Sequence, residues 1–165
     1  MLTFAMDQKT RAALVKELVS LLTEANAHVT FKQACADVPV ALLNEKAPGL
    51  PYTIWQLAEH LRIAQLDILE FSCNPAHESP EWPAGYWPAP DATVDEAGWQ
   101  ATLAAIRHDQ AKFVALLHDE SKELLVPFAH GTGQTLLREA LLIADHNAYH
   151  TGQIILLRRL LGDWE

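Results

Sequence analysis

The chain is poor in what marks a nucleic-acid binder, a disulfide scaffold or a membrane protein. Its 12 lysines and arginines are outnumbered by 21 aspartates and glutamates, for a formal net charge of -9. That leaves no basic footprint for a phosphate backbone and argues against a large polyanionic substrate. Only two cysteines occur, Cys35 and Cys73, with no C-x-x-C pair. Neither a disulfide framework nor a zinc ribbon is available, and a reducing, cytoplasmic compartment fits. No apolar run approaches the ~20 residues of a membrane span, and Met1 to Asp7 carries no basic region. Neither export nor membrane anchoring is expected. The seven glycines form no Walker or dinucleotide pattern. No histidine has a glutamate three positions before it, which removes the di-iron Glu-x-x-His signature. His146 is followed by Asn147, so H-E-x-x-H and its general base are missing too.

What is present is helical periodicity. At 165 residues, half of them hydrophobic, the chain suits one domain spanning 1–165 with a substantial core. From Asp7 as N-cap, Leu14, Leu18, Leu21, Leu22 and Ala25 recur at helical spacing, predicting a first helix to about Ala27. A short helix over Thr30 to Asp37 follows. Pro39, Pro48, Gly49 and Pro51 then punctuate a link to Thr53-Ile54-Trp55-Gln56, a capping-box pattern that opens a helix to about Phe71. Residues 74–93 hold five of the nine prolines together with Trp82, Tyr86 and Trp87, which excludes regular helix. Such a segment is either a functional lid or an aromatic cover sealing one end of the fold. His77, between Pro75 and Pro80, is expected in solvent. Thr93-Val94-Asp95-Glu96 suggests another capping box, and Trp99, Leu103, Ile106, Phe113 and Leu117 continue the periodicity. His28, His108 and His118 fall at helix ends or off the stripes and read as surface residues. His130, beside Gly131, is a weak candidate for the mouth of a site.

The most informative stretch is the last. From Thr135 as N-cap no proline interrupts the chain to Leu161, and Gly162 stands where a helix would stop. At about 100° per residue, His146 and His150 leave the same face about one turn apart. Thr135, Glu139, Leu142, Ile143, Gln153, Leu157, Leu160 and Leu161 share that face, which is expected to be buried. Two histidines, a glutamate and a glutamine in a leucine stripe cost several kcal/mol unless partnered. A metal ion would partner them, whereas an isolated H-x-x-x-H more often hydrogen-bonds to carbonyls. His60, at the edge of the upstream helix's apolar stripe, would complete a three-imidazole set with an open coordination position. Leu141, Ala144, Ala148, Gly152 and Ile155 lie on the opposite side. A glycine there implies close approach by another helix, of this chain or of a second copy.

Tyr149-His150-Thr151-Gly152-Gln153, then Leu156 to Gly162, together with Leu57-Ala58-Glu59-His60-Leu61, resembles the DinB-like superfamily of four-helix-bundle metalloproteins. The resemblance implies an all-α four-helix bundle, up-down-down-up, with long crossover loops. It also implies a divalent metal held by one histidine of the second helix and the H-x-x-x-H pair of the last, here His60, His146 and His150. Gln153 and Glu139 are the expected supporting residues around those ligands. Imidazole suits Zn, Ni or Fe(II), and the residues do not choose among them. Homodimers and a low-molecular-weight thiol cosubstrate are further implications of the family. The expected function is metal-dependent thiol S-transfer to a small electrophile, with no nucleic-acid or membrane partner. A metal-dependent hydrolase, or a non-catalytic metal- or ligand-binding stress protein, are the alternatives.

Overall fold

The computed structural model describes residues 6–165 and is all-helical. Residues 1–5, part of the start expected to carry no export or anchoring signal, lie outside the described residues. Among the described residues there is no strand, only isolated bridges pairing Lys46 with Thr53 and Pro127 with Thr135. No helix among the described residues is long and apolar enough to cross a membrane.

Each helix begins where a side chain satisfies its free amides. Helix α1 (Gln8–Thr23) starts on Asp7, which accepts from Thr10 N at 3.0 Å. It stops short of Ala27 because the Asn26 side chain donates to Ser20 O at 3.0 Å, completing the last turn from outside. Thr30 and Gln33 close a reciprocal capping box on α2 (Phe31–Ala34), which ends before Asp37 enters a left-handed conformation at φ 53°. Helix α3 (Ile54–Cys73) opens with the expected Thr53 and Gln56 capping box. Helix α4 (Glu96–His118) starts on Asp95, not on Thr93. The reason is Asn44, whose side chain bonds both the N–H and the C=O of Val94 and holds that residue outside the helix. Helix α5 (Leu136–Leu160) runs from Thr135 to a Schellman turn. Gly162, at φ 76°, and Asp163 donate back to Arg159 O and Arg158 O.

Helix α3 packs on both α4 and α5, α1 lies against α4 and α5, and α2 docks on α5. Two apolar clusters result. One joins Leu57, Leu61, Trp99, Ile106, Ile154 and Leu157 to the α2 region. The other joins Val15 and Leu18 to Ile68, Phe113, Leu136 and Ile143. Between them α3, α4 and α5 each place buried polar residues at mid-length: Gln65 on α3, Asp109 on α4, His150 and Thr151 on α5. Gln65 donates to Ile106 O at 2.8 Å and accepts from Asn147 Nδ2 at 3.1 Å. Asn147 Oδ1 is buried with no partner among the described residues.

The buried arc of α5 is rotated from the expected one. Leu136, Ala140, Thr151, Ile154 and Arg158 are buried with Glu139, Ile143, His150 and Leu157, while Leu160 is 55% exposed. Docking of α2 pulls the arc round. Arg158 Nη1 donates to Ala34 O and Ala36 O, each at 2.8 Å, and so caps α2 from inside. Ala144 and Ala148 share a cavity with Leu22 and Phe31, so the chain covers part of the opposite face. That cover does not reach Gly152, where an added Cβ would meet nothing within 4 Å.

Candidate metal centre

The histidines singled out from α3 and α5 meet. Nitrogens of His60, His146 and His150 lie within 4.8 Å of one another, and this trio could hold a metal ion. His60 Nε2 is 3.0 Å from His146 Nε2. The ring centroids of His150 stand 4.6 Å from His60 and 4.5 Å from His146. Donors around one tetrahedral zinc at ~2.05 Å sit roughly 3.3 Å apart, close to the 3.0 Å between the His60 and His146 nitrogens.

The outer nitrogens settle which atoms face inward. His60 Nδ1 donates to Tyr86 O at 2.8 Å and His150 Nδ1 donates to Gln153 Oε1 at 2.7 Å. With Nδ1 carrying the proton, a neutral ring keeps its lone pair on Nε2. Burial lowers the pKa of all three rings, so each favours the neutral form that can donate a lone pair. His146 falls furthest, to about 4, because the His150 and His60 rings add like-charge repulsion to burial. His60 Nε2 and His146 Nε2 face each other at 3.0 Å, so a cation or a shared proton must lie between them. The donor set therefore fits a divalent ion.

Aromatic residues cover one side. Trp87 stacks on His60 with ring centroids 3.8 Å apart and planes 1° from parallel, and Tyr52 stacks on Trp87 at 4.4 Å. The segment carrying Trp87 is pinned to α3 by Asp67, which accepts from His77 Nε2 at 2.7 Å and from Tyr86 O–H at 2.6 Å. Burial and that carboxylate together raise the Tyr86 phenol to about 12. His77 is thus half-buried and paired, in contrast to its expected exposure, because the proline-rich segment folds back along α3. Trp82 remains 72% exposed.

The two supporting residues are placed differently. Gln153 touches His150 directly. The Glu139 carboxylate takes two hydrogen bonds from Arg138 Nη1, at 2.8 and 3.0 Å, and borders a separate cavity with Asp67, Phe71 and Gln134. His130 lies against Phe71 and Phe128, its Nε2 donating to Phe71 O at 2.8 Å, and not among the three histidines. His28, His108 and His118 are exposed. The Tyr52 stack, the Tyr86 carbonyl and the Asp67 anchor were not foreseen. A backbone carbonyl leaves no mark in sequence. Tyr52, one residue before the N-cap of α3, was the detectable signal.

A family model described as the DinB superfamily matches residues 25–154. No curated protein and no solved structure matches the chain.

Proposed function

The chain belongs to the DinB superfamily, and from that premise we propose that it is a divalent-metal protein that transfers a thiol to a small electrophile. The observation that carries the reading is the convergence of His60, His146 and His150 with two of their outer nitrogens held. Three imidazoles leave a coordination position for a substrate atom. A divalent ion there, Zn, Ni or Fe(II), supplies the charge that keeps a thiol ionised near neutral pH.

The protein's own residues then orient and enclose. Tyr86 O and Gln153 Oε1 hold the His60 and His150 rings, and Trp87 shields the His60 face from water. The thiol gives up its proton to solvent, its sulfur forms a bond to the electrophilic carbon, and the leaving group departs with the bonding electron pair. Hydrolysis at the same centre is the alternative, since such an ion also acidifies water. Transfer is favoured because no carboxylate joins the histidine group among the described residues, so no general base stands beside the open position. Glu139, expected to support the site, is engaged by Arg138.

We take residues 1–165 as one four-helix-bundle domain, up-down-down-up. Its support is the order of the apolar clusters along α3, α4 and α5, which α5 meets in reverse. The 22 residues between α3 and α4 are long enough for a crossover. A homodimer and a cytoplasmic location are part of the same reading, supported by the family and by the unpaired cysteines.

The test is to incubate zinc-loaded protein with a panel of cellular thiols and monochlorobimane, beside His150→Ala. Conjugation faster than in the variant with at least one thiol is expected. Equal rates across the panel would end the transferase reading. Elemental analysis of untagged protein reads the metal independently, and azide added to the cobalt form separates an open centre from a closed structural one.

A further inference from the structure

Beside the histidines lies a cleft of 210 Å³ whose lining has no charged side chain. Leu57 and Leu157, both 1% exposed, form buried parts of its wall, and Leu156, 49% exposed, contributes an accessible part. Two other lining residues tie it to the metal centre. Tyr52 stacks on Trp87, which stacks on His60, and Gln153 accepts the hydrogen bond of His150 Nδ1. The cleft is therefore one side chain removed from His150 and two from His60. Gln153 is the polar side chain in its apolar wall apart from the Tyr52 hydroxyl, and its Nε2 donates to nothing among the described residues.

We propose that this cleft is a binding site for an aromatic ring or a branched aliphatic group of similar size. An apolar cavity of about 150 Å³ takes up benzene in preference to water. At 210 Å³ this one has room for a ring with a short substituent. A charged group is excluded, because nothing in the lining would pair with it. An acceptor on the substituent would take the free N–H of Gln153, aligning the ligand toward His150. That this group belongs to the electrophile rests on the transfer reading. That the cleft takes an apolar ring does not.

The test titrates 4-fluorobenzyl alcohol into the protein and follows its fluorine NMR signal, with metal-free and zinc-loaded samples in parallel. Saturable binding of similar affinity in both is expected. Leu156→Trp, which fills the cleft from its accessible wall, should weaken binding at least tenfold, and Leu50→Trp, at another residue that lines the cleft, should do the same. Fluoroacetate, small and anionic, should not compete. Binding only in the zinc-loaded sample would place the probe on the metal and overturn the proposal. Unchanged affinity in both folded tryptophan variants would overturn it as well. So would light scattering showing a dimer that the tryptophan variants dissociate, since the occupant would then be a second copy. Zinc content and thiol conjugation, measured on the same samples, report the metal-centre reading separately.

Discussion

Replacing Arg158 with alanine should cost about 4 kcal/mol of stability. The side chain is buried and fully engaged. Nη1 donates to Ala34 O and Ala36 O at 2.8 Å, Nε to Asp163 Oδ2 at 2.7 Å, Nη2 to Asp163 O at 3.3 Å, and the guanidinium sits 4.8 Å from the Trp164 ring centroid. Removing one partner of a buried ion pair costs roughly 3–5 kcal/mol, and the lower end applies here because the Asp163 side chain is 18% exposed. The orphaned carbonyl of Ala34, a fully buried residue at the end of α2, adds about 1 kcal/mol. For a chain of this size 1 kcal/mol is about 3 °C in Tm, so a fall of roughly 12 °C is expected by calorimetry. Arg158→Lys should recover less than half, since an ammonium cannot bridge two carbonyls and a carboxylate in one plane. A double-mutant cycle with Asp163→Asn should give coupling above ~1.5 kcal/mol. His150 lies eight residues earlier on α5, so the folded variant should bind zinc with wild-type stoichiometry. A loss below ~1 kcal/mol would mean that α2 does not dock through Arg158 and would refute the account of the rotated arc.

Asp67→Asn should free the aromatic segment while leaving α3 intact, because it weakens the bonds from His77 and Tyr86 by ~1–3 kcal/mol. Faster amide exchange over residues 77–87 and weaker zinc binding in chelator competition are expected, and a change in neither would show that the pin is idle. In metal-free protein, His146 takes up its proton near pH 4 when folded against an ordinary 6.5, so the unfolded chain holds more protons in that window. Its contribution should therefore be complete above pH 6.5 and be lost as the pH falls toward 4. Asp109 and Glu139, raised by burial, work the other way, so the measurement is the difference in urea midpoint between wild type and His146→Asn across that range. Gly152→Ala should stabilise the chain by up to ~1 kcal/mol, since the helix gains propensity and the added Cβ meets nothing within 4 Å. Destabilisation that deepens with protein concentration would instead place a second copy on that face.

Local signals were the legible part. Asp7, Thr53 and Thr135 cap the helices that follow them, and Gly162 ends the last one, because caps depend on residues three or four apart. The single exception, Asp95 in place of Thr93, comes from Asn44, fifty residues from the Val94 it holds. The approach of His146 and His150 followed from their spacing. Their meeting with His60 was proposed from its place at the edge of the apolar stripe of α3 and strengthened by the resemblance, since a helical wheel states which face a residue leaves by and not what that face meets. Glu139 illustrates the limit. It shares the histidine side of the wheel, yet Arg138 claims its carboxylate.

The remainder was illegible because the polar middle of the fold is assembled from four separate stretches. Gln65 looks like an ordinary amide, Asn147 like the residue that breaks a protease motif, and Tyr86 like part of a loop. Together they hold the layer between the two apolar clusters. Gln65 and Asn147 join α3 to α5 next to His146, while Tyr86 fixes the His60 ring through a main-chain oxygen. Two rings are held through their outer nitrogens, and the inner nitrogens of His60 and His146 stand 3.0 Å apart, within hydrogen-bond reach of each other. A neutral N–H···N bond fills that gap in the metal-free protein, and a change of tautomer at His146 would free both Nε2 lone pairs for a divalent ion.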